Sequence, residues 1–325
     1  MKRFILVTVC LAACITGAEG GEPKGATPAA ALLSNVQWAS PETDLVAFLT
    51  RTPGECLAPA KNPGAEYQIE LGRAAFSSPF LFGGPAARSG LSCNSCHRDG
   101  RDNDDFFLEG LSDAPGTADV TSSLFSKTRE DNVFNPAPIP SLLDIAGKES
   151  FGSTAPQPSI HAFVTSAVHD EFQGVVSSAV IDGIAAYVAH LNAGFCPEGE
   201  TAQSVGRAVS DITRTLRAAE TAMRRGDAAA ADFLLLTARH GLGLIHERYN
   251  SSGLTAEQKL VAAVSQQLAD MRAMTYPGAS GDLNAAAAMM SPLITGMEEA
   301  GRRLRKKERH SLYNEKRLRR VLEGE

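Results

Sequence analysis

The sequence reads Leu91-Ser92-Cys93-Asn94-Ser95-Cys96-His97 near the end of its first third, and this stretch decides the fold. Two cysteines are separated by two residues and a histidine follows directly, which is the C-x-x-C-H pattern of covalent haem attachment. In that chemistry the thiols of Cys93 and Cys96 form thioether bonds with the haem vinyl groups, and His97 is the proximal ligand of the iron. The pattern occurs once in the 325 residues, so the sequence predicts one haem c.

Two other kinds of site contain the same cysteine spacing, and both lack support elsewhere in the chain. Half of a zinc site would need two further cysteine or histidine ligands at close spacing, and no such pair follows His97. A thioredoxin-like redox pair would need a βαβ setting around Cys93, and that pattern is absent. Haem attachment therefore remains the prediction.

The N-terminus has the pattern of an export signal. Lys2 and Arg3 precede a short apolar run that ends at Ala13, and the run is too short to span a bilayer as a helix. We therefore predict a signal peptide over residues 1–18 and a periplasmic or outer-membrane-associated protein of a Gram-negative bacterium. Residues 19–35 are rich in Gly, Ala and Pro and are predicted to be a flexible leader.

Cys14 permits two interpretations of where the signal ends. The segment Leu11-Ala12-Ala13-Cys14 resembles a bacterial lipoprotein signal, in which Cys14 becomes the lipidated first residue of the mature protein. Plain cleavage near Ala18 is the alternative, and it would remove Cys14. The first interpretation predicts a membrane tether through the Cys14 lipid.

Cys56 and Cys196 are the cysteines that remain once the signal and the haem motif are set aside. Two spare thiols in an oxidising compartment favour a disulfide, which would close a long loop and join the two ends of the haem region. Two buried free cysteines are the alternative.

Residues 36–200 are predicted to form a cytochrome c-like haem domain. They carry many Gly, Pro, Asn and Asp residues between short apolar runs, so few long helices are expected. Helices are predicted near Pro41–Arg51, Glu66–Ala75 and Ser178–Leu191. A haem supplies much of the apolar centre itself, so a loop-rich chain can fold around it.

Residues 201–325 are rich in alanine and other helix formers, and they predict an antiparallel helical bundle. Gly226-Asp227 ends the first helix and caps the second. Thr255 with Gln258 is a capping-box pattern that opens the third helix. Pro292 is expected to interrupt the fourth. The predicted fold class is thus mainly α, with a cytochrome c-like haem domain followed by the bundle.

The net charge of −6 gives no general electrostatic case for nucleic-acid binding. Basic residues are concentrated in a predicted C-terminal helix over Arg302–Arg320. That helix would suit an anionic membrane surface or an acidic partner. A solvated helix end, where cations suit the helix dipole, is the simpler interpretation.

The segments around the haem motif resemble those of a known family. The motif is preceded by Leu71-Gly72-Arg73-Ala74-Ala75-Phe76-Ser77-Ser78-Pro79 and followed by Asn135-Pro136-Ala137-Pro138-Ile139-Pro140-Ser141-Leu142. Together with Ser159–Gly174 and Ser178–Leu191, they resemble the bacterial di-haem cytochrome c peroxidases and their methylamine-maturation relatives, over about residues 66–195. Enzymes of that family hold two haems in two such halves. This chain has a single C-x-x-C-H and therefore resembles one half, without the second haem that the family's peroxidase activity uses.

The resemblance also indicates where the sixth iron ligand would lie. Electron-transfer halves of the family use a methionine, or sometimes a tyrosine, in the helix before the last, but residues 36–200 contain no methionine. His169 is nearest to that place and is the first candidate for the distal ligand, with the acids that follow it expected to hold its imidazole by hydrogen bonding. His161 is the second candidate, and an open or water-bound position is the further alternative.

The choice of distal ligand decides the predicted function. Two strong axial ligands leave no place for peroxide, so the haem would only transfer electrons, with a redox partner protein. An open position would permit a peroxidase-like enzyme or a haem sensor. A peroxidase would need a distal acid–base group and a cation, for which His161 or His169 with Arg129 are candidates. Electron transfer is the predicted function, and enzymatic activity is the alternative.

Overall fold

The computed structural model describes residues 33–152, 156–251, 253–279 and 281–324. The predicted signal peptide, Cys14 and all but the end of the leader lie outside the described residues. The structure is 58% helix and 5% strand, so the prediction of a mainly α protein is confirmed. We call the described residues up to 200 the N-terminal region and those from 201 the C-terminal region.

The N-terminal region contains short and medium helices joined by long loops. Its α-helices are α1 (Leu45–Thr50), α2 (Pro63–Phe76), α3 (Gly84–Arg88), α4 (Cys93–Cys96), α5 (Ile160–Thr165) and α6 (Ser178–Ala189). A π-helical turn over Ser166–Glu171 continues α5 directly. Short 3-10 helices cover Ser34–Trp38, Pro79–Leu81, Arg98–Gly100, Ile145–Gly147 and Ala193–Phe195.

The strands are two residues long and pair in antiparallel fashion. β1 (Arg51–Thr52) pairs with β4 (Thr201–Ala202), and β2 (Thr117–Ala118) pairs with β3 (Ala137–Pro138). A disulfide joins Cys56 to Cys196 close to the first of these pairs. The beginning and the end of the N-terminal region are thus held together by a ladder and a covalent bond.

The helices predicted in the N-terminal region are present, with shifted ends. α1 begins at Leu45 rather than near Pro41, because the Asp44 carboxylate accepts hydrogen bonds from two backbone N–H groups of the first turn, at 3.0 and 3.2 Å. α2 begins earlier than predicted, because the Asn62 side chain caps it and Pro63 occupies its first position.

α2 and α6 pack against each other at the centre of the N-terminal region. Gly72 on α2 lies opposite Gly183 on α6, and a Cβ added at Gly72 would be 1.9 Å from the carbonyl oxygen of Gly183. The two backbones therefore approach too closely for any larger side chain at position 72. Leu71 and Ile184 lie beside this contact and are almost fully buried.

The C-terminal region consists mainly of long helices. They are α7 (Val205–Arg224), α8 (Ala228–Arg248), α9 (Thr255–Thr275) and α10 (Leu283–Arg305), followed by a 3-10 helix over Glu308–His310 and by α11 (Glu315–Leu322). Each of α7 to α10 packs on the next, and α10 packs back on α7. The apolar stripe of α7 is buried in this contact: Val205, Val209, Ile212, Leu216 and Met223.

α8 lies at the centre of the molecule. It begins after Gly226-Asp227, as predicted, and Asp227 Oδ1 accepts a hydrogen bond from Ala230 N at 2.9 Å. By length and composition α8 would be able to cross a membrane, with a mean hydropathy of 1.3, but half of its apolar window is buried inside the protein. It contacts α7, α9 and α2, which is the position of a core helix.

Two predictions about the later helices are wrong. α9 does begin at Thr255, but no capping box forms, because Leu254 occupies the N-cap and the Gln258 amide donates to the Asn250 side chain at 3.4 Å. Pro292 lies inside α10 without interrupting it. Proline removes a hydrogen bond to the carbonyl four residues earlier, and here both Pro292 and Ala288 are exposed, so water can satisfy that carbonyl.

The basic helix predicted over Arg302–Arg320 is two helices rather than one. α10 ends at Arg305, and α11 begins only after Asn314, whose side chain caps it. Leu318 of α11 is buried in a small apolar cluster with Leu49 of α1. The apolar side of α11 is therefore covered by the N-terminal region, while Lys316, Arg319 and Arg320 are exposed.

The N-terminal and C-terminal regions share one apolar core. Leu71 of α2 and Leu234 of α8 are both fully buried and belong to the same cluster. Thr237 Oγ1 of α8 also donates a buried hydrogen bond to Ser78 Oγ, at 2.9 Å. Unfolding of either region would therefore expose apolar surface of the other.

Candidate functional site

α4 is a single helical turn that carries both cysteines of the C-x-x-C-H motif. Residues three apart in a helix lie on the same side, so the Cys93 and Cys96 thiols are neighbours. Ser92 caps the turn: its backbone N–H donates to Ser95 Oγ at 3.1 Å, and the two hydroxyls lie 3.4 Å apart. The sequence analysis missed this reciprocal cap, although the Ser-x-x-Ser spacing was visible.

His97 follows this turn with its ring held in one orientation. Its backbone N–H donates to the Cys93 carbonyl at 2.8 Å, and Nδ1 lies 2.9 Å from the carbonyl oxygen of Pro140. A carbonyl oxygen only accepts, so Nδ1 carries the proton and Nε2 presents a lone pair. Burial lowers the pKa of His97 to about 4, which keeps the imidazole in the neutral form that binds metals.

The two thiols of the motif are unpaired and lie against apolar side chains. Cys93 and Cys96 are free cysteines that retain partial exposure while packing against the main apolar core. Burial raises the pKa of Cys93 to about 12 and raises that of Cys96 further. Zinc requires thiolates, whereas thioether formation joins sulfur to an apolar macrocycle, so this environment fits a haem better than zinc.

Metal sites built from several side chains were sought in the described ranges as well. No group of three or more His, Cys, Asp or Glu residues there is placed to hold a metal ion.

The loop after the motif is fixed by hydrogen bonds to it. Asp99 adopts a left-handed conformation with φ of 51°, and its backbone N–H donates to the Asn94 side chain at 2.9 Å. Its carboxylate accepts from the Thr52 hydroxyl and from Gly54 N, the latter at 2.9 Å. Asn103 Nδ2 donates to the Ser95 carbonyl at 2.8 Å. The two spacer residues of the motif are thereby tied to the loop that follows.

His169 lies in the π-helical turn after α5 and is partly buried. Its Nδ1 is 2.8 Å from the carbonyl oxygen of Gly174, so Nδ1 carries the proton and Nε2 is left with a lone pair. The expectation that the acids after His169 hold the ring is wrong. Gln173 has φ of 56°, and this turn brings Gly174 back over the helix end, where its N–H also bonds the Val168 carbonyl at 2.7 Å.

The other histidines of the N-terminal region have different partners. Nε2 of His161 lies 3.0 Å from Asp182 Oδ1, and about half of each side chain is exposed. Nδ1 of His190 lies 2.7 Å from the Ala186 carbonyl of its own helix. His161 therefore already uses its outer nitrogen on the surface.

A buried ion pair that was not predicted from the sequence joins Glu171 to Arg129. Glu171 is 3% exposed, and its carboxylate accepts a hydrogen bond from Arg129 at 2.7 Å. Burial, opposed by Arg129, raises the pKa of Glu171 to about 8. The charge of Glu171 also contributes, after burial, to raising the pKa of both Cys93 and Cys96. Glu171 and Arg129 are 42 positions apart in the sequence, so no local sequence pattern predicts their pairing.

Comparison of the chain with family models, with curated proteins and with solved structures gives no match. The candidate site is therefore defined by the residues of this chain alone. Two free cysteines, Cys93 and Cys96, lie on one helical turn, and the neutral His97 ring is held in one orientation after it. His169 and the buried carboxyl of Glu171 lie on the π-helical turn.

Proposed function

We propose that this protein is an exported c-type cytochrome that carries one covalent haem on Cys93, Cys96 and His97 and transfers electrons. The hydrogen bond from His97 Nδ1 to the Pro140 carbonyl supports this proposal most directly. It leaves Nε2 of a neutral imidazole available beside two unpaired thiols. A bound haem c would supply the one-electron redox centre.

The architecture in this proposal has two parts. Residues 36–200 form a cytochrome c-like haem domain, and residues 201–325 form an antiparallel helical bundle. The resemblance to the di-haem cytochrome c peroxidases and their methylamine-maturation relatives supports the first part. The packing of α7 to α10 in a closed series supports the second. The apolar side chains that surround the motif would exclude water from the group.

We assign the distal position to His169. Its ring is held through Nδ1 by a backbone carbonyl, the same arrangement that His97 has, and Nε2 remains available. His161 is a weaker candidate, because its Nε2 already bonds Asp182. Two imidazole ligands would fill both axial positions, so the centre would pass electrons without binding peroxide.

The second candidate function is a peroxidase-like enzyme or haem sensor with an open distal position. The observation that favours it is the buried Glu171–Arg129 pair. A carboxyl whose pKa is raised to about 8 can hold or release a proton near neutral pH, and Arg129 supplies a neighbouring cation. These are the two groups that acid–base chemistry on the distal side would need.

The proposed location is the periplasm or the outer membrane of a Gram-negative bacterium, with a protein redox partner. The apolar start of the sequence and the Cys56–Cys196 disulfide support an oxidising compartment. A lipid on Cys14 would tether the protein, and the exposed basic side chains of α10 and α11 would add electrostatic attraction to an anionic surface.

The test is a mass measurement with absorption and resonance Raman spectra of the purified protein, oxidised and reduced. We expect one covalent haem that is low-spin, six-coordinate and unchanged by carbon monoxide or peroxide. His169→Ala should produce a high-spin haem that binds carbon monoxide. His161→Ala is the matched control, since it removes the same ring eight residues earlier, and it should leave the spectrum unchanged.

Other results would distinguish between the two candidate functions. A folded chain without covalent haem contradicts the whole proposal. A high-spin wild-type haem that binds carbon monoxide and reacts with peroxide favours the second function, and Glu171→Gln should then slow the peroxide reaction while leaving carbon monoxide binding intact.

A further inference from the structure

A cavity of about 320 Å³ lies between the back of the haem motif and the C-terminal helices. One wall includes Asn94 and Ser95, the two spacer residues of the C-x-x-C motif, and the opposite wall is formed by α7 and α8. Its volume is at the lower end of small-molecule sites. Neither the thiols nor His97 line it, so it is a separate space from the candidate haem site.

The cavity lining is rich in charged side chains. Five arginines line it: Arg73, Arg98, Arg207, Arg214 and Arg248. Four carboxylates line it: Glu55, Glu70, Asp99 and Asp211. Burial lowers the pKa of His240, also in the lining, so this ring adds no charge near neutral pH. The lining therefore carries one net positive charge.

The carboxylates of the cavity already have partners. Arg73 bonds both Glu55, with one contact of 2.8 Å, and Glu70, at 3.4 Å. Arg214 pairs with Asp211 and lies 3.5 Å from Glu70. The fourth carboxylate, Asp99, accepts from a hydroxyl and a backbone N–H. Among the described lining residues, Glu55, Glu70 and Asp211 are thus paired with arginines, whereas Asp99 is held by neutral donors.

Among the described residues, three of the lining arginines form no salt bridge with a carboxylate, although the charge of Asp99 partly opposes the burial that lowers the pKa of Arg98. Arg98 donates to backbone carbonyls, including that of Phe48 at 2.7 Å, and Arg248 does the same, including that of Leu49 at 2.7 Å. Within the described ranges, Arg207 has no ion pair with any acid. Burial lowers the pKa of Arg73 to about 10, and the charge of Arg214 and, more weakly, that of Arg207 contribute to the lowering.

We propose that this cavity binds a small organic anion that carries a carboxylate or phosphate group, with Arg207 as its main cation. The planar guanidinium of arginine matches both groups through paired N–H donors. The aromatic side chains of Trp38 and Phe48 line the same space and accommodate an apolar part of the ligand. Bound there, the anion touches the spacer of the motif and both helices of the opposite wall.

The test is isothermal titration calorimetry with thermal unfolding of the full-length protein as purified, at constant ionic strength. The probes are inorganic phosphate, succinate and benzoate. At least one should bind with a stoichiometry of one and raise Tm by a few degrees, because a ligand that binds only the folded state stabilises it. Phosphate alone identifies a phosphate ligand, and succinate or benzoate alone identifies a carboxylate.

Arg207→Gln should raise the Kd of the binding probe at least tenfold, and Arg207→Lys should raise it less because the charge is kept. Arg217→Gln is the matched control. It removes one arginine from the same helix, where Arg217 is 63% exposed and pairs with Glu298 outside the cavity. The control should change the Kd less than twofold. Absence of binding by all three probes, or equal weakening by Arg207→Gln and Arg217→Gln, overturns the proposal.

Discussion

The N-terminal and C-terminal regions of this protein are stabilised in different ways. In the described residues, every non-glycine residue with positive φ lies in the N-terminal region: Asp99, Asn132, Asp144 and Gln173. Its loops are held by side-chain-to-backbone hydrogen bonds and by a disulfide. The C-terminal region has long helices with buried apolar stripes. One region depends on particular long-range contacts, and the other depends on a repeated pattern.

This difference indicates how each region would respond to damage. A helix that follows a periodic apolar pattern retains its local preference when one contact is lost. A loop that is held by a few hydrogen bonds and a bound group has little local preference to retain. The shared core around Leu71 and Leu234 couples the two regions, so the comparison can be tested by breaking each link in turn.

The largest expected effect comes from Cys93→Ala, which should abolish stable covalent haem. The N-terminal region should then lose protection from hydrogen exchange, because the haem that we propose for its centre would be absent, while α9 and α10 stay protected. Hydrogen-exchange mass spectrometry of the two regions measures this. Uniform loss of protection in both regions would show that they do not differ in the way described.

Removal of the disulfide should be the next largest effect. Cys56 and Cys196 are separated by 140 residues, and the chain-entropy model gives about 5 kcal/mol for a loop of that length. The double variant Cys56→Ser, Cys196→Ser should lower the free energy of unfolding by up to this amount in urea titrations. The control is the double variant Ser210→Ala, Ser291→Ala, which removes two exposed hydroxyl groups. Its free energy of unfolding should be unchanged. A double cysteine variant as stable as wild type would exclude a structural role for the bond.

Truncation of the shared core tests the coupling between regions. Leu71→Ala and Leu234→Ala each remove a fully buried side chain and should cost about 2–5 kcal/mol. Both variants should unfold in a single transition when followed by far-ultraviolet circular dichroism and by haem absorption. If Leu234→Ala lowered only the circular dichroism midpoint, the two regions would be separate folding units.

The smallest expected effect is on pH dependence. Burial lowers the pKa of His240 below its usual 6.5, so the folded protein binds fewer protons than the unfolded chain in this range. The resulting stability is present above pH 6.5 and is lost as the pH falls, by about 1.4 kcal/mol for each unit of pKa difference. His240→Gln should flatten this part of the curve.

Local sequence was sufficient for most of the helices. Asp227 capped α8 as its position predicted. The predicted interruption at Pro292 is wrong because the effect of a proline depends on whether the carbonyl that loses its hydrogen bond faces water. The position of the proline along the chain does not reveal this. The predicted capping box at Thr255 does not form because the Gln258 side chain donates a hydrogen bond to Asn250, which lies outside the local motif.

The candidate site also has a part that local sequence predicts and a part that it does not predict. The motif itself predicted which residues would carry a haem, because the spacing of Cys93, Cys96 and His97 is a local property of one turn. The Pro140 carbonyl that orients His97, the Gly174 carbonyl that orients His169 and the Arg129 partner of Glu171 come from elsewhere in the chain. Sequence alone gave no indication of these pairings.

The sequence by itself determined the mainly helical fold, the region that carries the C-x-x-C-H motif and the residue types available for ligation. Only the tertiary structure decided that α2 and α8 share a core, that Glu171 forms a buried ion pair with Arg129 and that a cavity with a charged lining lies between the motif and α7. The physical reason is the distance along the chain over which each effect acts. Helix periodicity and a turn motif act over a few residues, whereas burial, ion pairing and the raised or lowered pKa of a side chain depend on which distant segments surround it.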